Sequence, residues 1–368
     1  MIKRYSLRKY DFLLIILVIV HSLIGVAAIS SADDSLVNKQ LMGIVLGVVL
    51  MVFISFLDYT KLIRYNWVIY AVNIVLLLLV FVMGHSTNGS QRWLNIFGVT
   101  FQPSETAKIL LILFYAQFIM VNTKKKMTTK FILICCLLLI PPLILVLRQP
   151  DLSTSLMIII IFCSIIFISG IDWKIVAGIL AVTIPTACVG LYLAIQPDCI
   201  FLHDYQQRRI LAWLHPEEYA NSEAYQTLNS MMAIGSGQLQ GKGYNTNEIS
   251  SVLNGGFISE SQTDFIFSVI GEEFGFIGSC IVIILFVLIA VKCFIIGSKA
   301  KDKAGQIIAT GMGCLMFFQS FMNIGVATGL LPNTGIPLPL ISSGLTSLVS
   351  IYIGMGFVLN VKLQSRRY

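Results

Sequence analysis

Charge is the first thing this sequence lacks. Lys, Arg, Asp and Glu together make up 12% of its 368 residues, about half the share of an ordinary soluble domain. That scarcity excludes a soluble globular protein, a disordered chain and a basic nucleic-acid-binding domain. Paired cysteines are missing too. Eight are present, but none has disulfide or zinc spacing, and all except Cys199 sit in apolar runs, Cys135, Cys136, Cys163 and Cys280 among them. The four histidines, His21, His85, His203 and His215, are scattered, which argues against a histidine-built metal site. There is no GxSxG nucleophile elbow and no Ser-His-Asp order. The glycine-rich stretch 235–243 (GSGQLQGKG) lacks P-loop spacing. Asn88-Gly89-Ser90 matches a glycosylation sequon at chance frequency. No internal repeat of the kind common in secondary transporters is evident.

What the sequence has in abundance is apolar length. Apolar residues reach 57% and mean hydropathy is +0.85. Apolar stretches recur at the length a bilayer needs, so the fold class predicted is an all-α polytopic membrane protein. Ten spans are predicted, at 11–29, 40–57, 66–84, 104–121, 130–147, 153–169, 174–195, 265–296, 304–330 and 341–361. The first is too long for the apolar region of a signal peptide and reads as a retained anchor. Orientation follows from the basic residues. All but Lys39, Arg92, Lys108, Arg148, Arg208, Arg209 and Lys242 of the 25 Lys and Arg fall on the side of the termini. All but Asp11, Asp58, Asp172 and Asp302 of the 18 acids avoid that side. Both termini are therefore expected in the cytoplasm. The formal charge of +7 is then a topology signal with room for anionic-lipid contact, and implies no nucleic acid. Residues 1–368 are expected to form a single transmembrane domain. Its one long extracytoplasmic loop, 196–263, lies between the seventh and eighth spans. Within it, 205–214 (YQQRRILAWL) reads as an interfacial amphipathic helix, and a second helix is expected near 224–234.

Ionisable side chains at the rim of a span are costly and point to function. Here they gather on the outer side. Glu105 and Lys108 open the fourth span three residues apart, on one helical face. Ser104 before them is expected to cap that helix. Arg148, Gln149, Pro150 and Asp151 form a tight outer turn, where Asp151 is placed both to cap the sixth span and to meet a substrate cation or hydroxyl. Asp264 stands at the mouth of the eighth apolar run, after Gln262 and Thr263. As a helix that run measures about 48 Å against a hydrocarbon core near 30 Å, so it must tilt, project or break near Gly271 or Gly275. A partly desolvated carboxylate at 264 would have its pKa raised toward the range of a general base; capping the helix is the other reading. One of Glu272 and Glu273, two turns deeper, is expected to pair with Lys108. The segment 323–340 (NIGVATGLLPNTGIPLPL) carries three prolines. With Ser342 and Ser343 it reads as a rim loop facing the same cavity. Gly43 and Gly47 give a weak helix-packing signal.

These motifs carry a resemblance. Residues 89–93 (GSQRW), 102–108 (QPSETAK), 149–154 (QPDLST), 205–210, 233–243, 263–278 (TDFIFSVIGEEFGFIG) and 323–343 are similar to the SEDS proteins (shape, elongation, division and sporulation), most closely their RodA branch. The likeness spans essentially the whole chain. It implies a ten-helix bundle that polymerises lipid II into β-1,4 glycan with inversion at the anomeric carbon. It also implies a class B penicillin-binding protein as transpeptidase partner. The family's essential aspartate falls on Asp264, and its fourth-helix Glu and Lys on Glu105 and Lys108. Substrate contacts are expected from Arg92, Glu105, Lys108, Arg148, Asp151, Gln262, Thr263, Ser342 and Ser343. A divalent cation, Mg²⁺ or Mn²⁺, is expected at a site the sequence does not place. The chain departs from the family at Ser259, Ser261 and Gln262, where Pro, Ala or Arg, and His are usual, and at 343–345 (SGL), which replaces Tyr-Gly-Gly. Those departures leave a sporulation-specific role open beside elongation. A lipid II flippase and a non-catalytic scaffold are the alternative functions, and a generic permease is the weakest.

Overall fold

A computed structural model describes residues 10–87, 90–96, 99–122, 128–196, 204–245, 251–253 and 255–365. The topology-setting residues Lys3, Arg4, Arg8, Lys9, Lys124, Lys125, Lys126, Arg366 and Arg367 lie outside them, as do Asn88, Gly89, Cys199 and His203.

The apolar runs fold as helices, the structure in which a segment satisfies its own backbone away from water. In chain order these are α1 (Phe12–Ala32), α2 (Val37–Phe56), the single turn α3 (Tyr59–Leu62) and α4 (Asn66–Met83). After a small sheet come α5 (Pro103–Asn122), α6 (Thr129–Arg148), α7 (Leu152–Ile168), α8 (Trp173–Ile195), α9 (Asp204–Leu214) and α10 (Tyr225–Ser236). The chain ends with α11 (Ile266–Ser298), α12 (Lys303–Ala327) and α13 (Leu345–Leu363). Among the described residues, eight helices are long and apolar enough to cross a membrane. The 17-residue α7 and the 23-residue α8 occupy the places of the sixth and seventh predicted spans. Aspartates start several helices by accepting from the backbone: Asp11 from Leu14 N, Asp151 from Thr154 N and Asp302 from Gly305 N.

Burial sorts the helices. The apolar windows of α5, α12 and α13 are each 78% buried, against 17% for the window that contains α4. The first three form the centre, and α4 lies at the perimeter. The glycines at 43 and 47 do what their spacing predicts. A Cβ on Gly43 would press on Leu345 and Leu348, and one on Gly47 on the Tyr352 ring, so α2 lies directly on α13.

Two features correct the sequence reading. The fold is not purely helical: β1 (His85–Thr87), β2 (Ser90–Ile96) and β3 (Val99–Phe101) form an antiparallel meander in the order β1-β2-β3. Segments this short leave almost no periodic signal. The last helix begins at Leu345, later than predicted, because the residues before it are tied elsewhere. Ser342 Oγ donates to Thr263 O at 2.6 Å, and Ser343 N donates to Gln262 O at 2.9 Å.

Candidate active site

Asp264 lies immediately before α11, and it does not cap that helix. The helix starts at Ile266, Phe265 is its N-cap, and no side chain bonds the free amides there. The long apolar run breaks at Gly275, whose φ of 62° and ψ of −159° only glycine adopts readily. The glycine-rich stretch after α10 fills that break. Phe276 N and Ile277 N donate to Gln238 O and Leu239 O, while Lys242 N and Gly243 N donate to Glu272 O and Glu273 O. Glu272 pairs with Lys242 at 2.8 Å and accepts from the amides of Val252 and Leu253. Glu273 accepts from Ser31 and from Asn245 N. The expected bond from either glutamate to Lys108 is therefore not made. The loop supplies a nearer cation, in Lys242.

Lys108 instead bonds its own helix and α12. Its Nζ donates to Glu105 Oε1 and to Gln319 Oε1, both at 2.8 Å, with all three side chains buried. Ser104 is not a cap either. Helix α5 begins at Pro103, where a missing N–H costs nothing, so Ser104 sits inside the first turn. There it accepts from Gln102 Nε2 and donates to Asp151 Oδ2. Asp151 caps α7 as expected and is 3.9 Å from Arg92 Nη1. The Arg92 side chain leaves β2 to donate to Gln149 O at 3.0 Å and to Pro150 O. The meander thus aims one guanidinium at the 149–151 turn. Arg148 is exposed and makes no contact with this cluster among the described residues.

The segment between α12 and α13 has no regular structure, yet Ile336, Leu338, Leu340 and Ile341 are buried. It matches the irregular loop expected from the prolines except at its start, since 323–327 belong to α12, and it is packed in protein. Gln262, Thr263, Ser342 and Ser343 join through the two hydrogen bonds that delay α13. Gly335, at φ +69°, passes so close to the aspartate that a Cβ there would lie 3.2 Å from Asp264 Oδ2.

Asp264 is half-buried and keeps part of its surface open. No described residue donates a hydrogen bond to its carboxylate. Burial pushes the carboxyl up from the ordinary aspartate value to about 6, and the nearby Glu260 carboxylate adds to the rise. Arg209 and Arg92 pull it down, and Asp151 pushes it up. The site therefore offers an unbonded carboxylate whose pKa is raised to about 6, with two guanidinium groups in its field. Arg209, Glu260, Gln319 and Asn323 were not singled out as site residues by the sequence reading. For Gln319 and Asn323 a signal existed, two amides four residues apart inside an apolar span. For Arg209 the amphipathic helix explained the charge well enough to hide it.

Comparison with known proteins follows the same outline. The family model FTSW_RODA_SPOVE, described as cell cycle protein, matches residues 6–367. The chain belongs to this family. The Escherichia coli (strain K12) member named peptidoglycan glycosyltransferase MrdB is 32% identical over 95% of this chain and 91% of its own length. A Geobacter metallireducens member, named probable peptidoglycan glycosyltransferase FtsW, is 31% identical over 98% and 96%. Among solved structures, the Rod shape determining protein RodA of Thermus thermophilus superposes with TM-score 0.70 at 26% identity, covering 98% of both chains. A chain from a peptidoglycan synthase complex, described as coordinating polymerization and crosslinking, superposes with TM-score 0.77 at 27% identity, covering 96% of this chain and 97% of that one.

Proposed function

We propose that this multi-pass membrane protein is a peptidoglycan glycosyltransferase. It joins lipid II disaccharide-peptide units into β-1,4 glycan strands at the outer face of the bacterial cytoplasmic membrane, for cell-wall elongation. The observation that carries this reading is the Asp264 carboxylate: recessed, unbonded, raised to about 6, and carried on a fold whose relatives are named for that reaction. The supporting architecture is a single domain of ten spans with both termini in the cytoplasm and an extracytoplasmic segment 196–263 that carries α9 and α10. A class B penicillin-binding protein is the proposed partner, supported by the likeness to a chain of a synthase complex that also crosslinks.

In this mechanism Asp264 accepts the proton of the attacking sugar hydroxyl. That oxygen bonds to the anomeric carbon as the carbon–phosphate oxygen bond breaks, inverting the centre, and the lipid pyrophosphate leaves with the electron pair. Arg92 and Arg209 face the growing negative charge, and Gln262, Thr263, Ser342 and Ser343 frame the recess. Asp151 and Glu105 hold the wall. Arg148, exposed at the membrane rim, is assigned to the lipid-linked end of the substrate. Among the described residues no three His, Cys, Asp or Glu converge on a metal site. Mg²⁺ is commonly held by one or two carboxylates together with substrate phosphates. With Asp264 kept free as the base, the Glu260 carboxylate beside it fits that role, for an ion arriving with the pyrophosphate. Such an ion would supply further positive charge to the leaving group.

The test is polymerisation of labelled lipid II by the purified full-length protein, with and without its transpeptidase and Mg²⁺ or Mn²⁺, beside folded Asp264→Asn. Wild type should build strands, and the variant should lose about 10²–10⁴-fold without unfolding. No strands under any condition, with lipid II still bound, would move the assignment to a flippase or a scaffold.

A further inference from the structure

The rim loop is buried but irregular, so its carbonyl groups need donors that no helix or strand provides. Two of those donors come from one face of α12, four residues apart. Gln319 Nε2 donates to Pro337 O at 3.0 Å. Asn323 Nδ2 donates to Ile336 O and to the backbone carbonyl of Asp264 itself, both at 2.7 Å. Two carbonyl oxygens at that distance fix the orientation of the Asn323 amide, since only its nitrogen can donate to both. Asn323 Oδ1 is left buried and unpaired, so the side chain acts here purely as a double donor. Gln319 is oriented in turn by Lys108, which donates to its Oε1 while holding Glu105. Gln319, Asn323, Lys108 and Glu105 are all buried.

We infer that Gln319 and Asn323 are positioning residues that clamp the rim loop and Asp264 together, and that Lys108 acts through this clamp rather than on the substrate. The inference rests on the glycosyltransferase reading for the role of Asp264. The chain of bonds runs from Glu105 to Lys108, to Gln319 and to Pro337 O, while Asn323 joins the loop to the aspartate directly. Neither amide touches the recess chemistry. Their effect is on where the carboxylate stands relative to Gly335 and the rim. A displacement of about 1 Å in such a group costs on the order of 10²-fold in rate.

The experiment uses full-length protein in nanodiscs with labelled lipid II. Asn323→Leu and Gln319→Met remove the donors while keeping approximate volume. Each should lower kcat by about 10²-fold with KM for lipid II nearly unchanged. Replacing the ion pair by Glu105→Gln with Lys108→Met, which leaves no unpaired buried carboxylate, should give a similar loss. Adding Gln319→Met to it should cost little more, the non-additivity of residues in one network. A raised KM at unchanged kcat in the ion-pair variant, or additive losses, overturns the clamp and returns Lys108 to the substrate. Wild type carries an independent readout by hydrogen exchange. The amides of Leu338, Ile341, Ser342 and Ser343, which donate inside the clamped segment or to Gln262 O, should exchange as slowly as those of α12. Fast exchange there overturns the clamp even if a variant fails to fold. A wild type that polymerises nothing defeats the enzyme reading, while the exchange pattern still decides the clamp.

Discussion

The two ends of α12 both meet polar networks, and they use them in opposite ways. At its start, every group is matched. Tyr59 Oη donates to both oxygens of Asp302 at 2.9 Å, Lys301 lies 5.2 Å from the Tyr59 ring centroid, and Asp302 also caps the helix. Asn360 accepts from Tyr59 N and from Gln364 Nε2, and donates to Ser55 O. At its other end, the bonds converge on the backbone around Asp264 and none reaches the carboxylate. A fully paired network locks geometry, whereas an unpaired carboxylate in a recess is raised in pKa and free to take a proton. One end ties neighbouring helices together; the other leaves a single carboxylate without a hydrogen bond.

Two substitutions test that contrast directly. The Asp264→Asn loss of about 10²–10⁴-fold in rate should come with an unfolding temperature close to wild type. Asp302→Ala should do the reverse. It removes a helix cap and the hydrogen bond that a buried tyrosine shares between both carboxylate oxygens, for a loss of about 1–3 kcal/mol in stability. The specific activity of the folded fraction should stay near wild type. Thermal unfolding and polymerisation assays on the same preparations read both. Matching profiles for the two variants would erase the distinction between the ends.

A comparable loss of stability is expected where the loop meets the broken helix. A Cβ at Gly275 would sit 2.3 Å from Gly241 N, and its φ and ψ fall in a region nearly closed to other residues. Gly275→Ala should cost about 1–3 kcal/mol and loosen the 237–245 segment from Glu272 and Glu273. Faster hydrogen exchange of Lys242 and Gly243 is the specific sign. If only global stability fell, with those amides still protected, the loop would be held by something other than the break.

How much of this could be read from the sequence depends on the physical origin of each signal. The apolar runs were legible because lipid imposes one rule, a long apolar helix: each has a helix within a few residues, and among the described residues eight helices are long and apolar enough to cross a membrane. Length alone required the eighth run to tilt, project or break, and the structure takes the break, at Gly275. Asp264 stood out as a charge beside an apolar run, and Asp151 as a cap. What the sequence hid was partner choice. Lys108 was given Glu272 or Glu273 on depth, but pairing depends on which loop folds back, and Lys242 reaches Glu272 through a glycine-rich segment with no periodicity. The meander at 85–101 was hidden for the same reason. Asn323 and Gln319 were visible as two amides in an apolar span, but their partners were not, because they donate to backbone carbonyls that every residue has.

The finest test concerns the electrostatics around the base. Desolvation is the leading cause of the raised Asp264 carboxyl, and Glu260 is the next. Asp264 must be ionised to accept a proton, so turnover should fall as pH drops through about 6. Glu260→Gln removes the neighbouring negative charge while keeping an oxygen for the 2.9 Å bond from Thr263 Oγ1. Without that charge the ionised form of Asp264 is easier to reach, so the acid limb of the kcat profile should move to lower pH. Burial persists, so the midpoint should remain above that of an ordinary aspartate. A variant at Arg209 that removes the opposing charge, Arg209→Gln, should move the same limb to higher pH. Opposite displacements from the two variants would show that the recess sets the proton affinity of Asp264 through these two neighbours. A limb that stays in place in both would show that neither neighbour sets the proton affinity of Asp264.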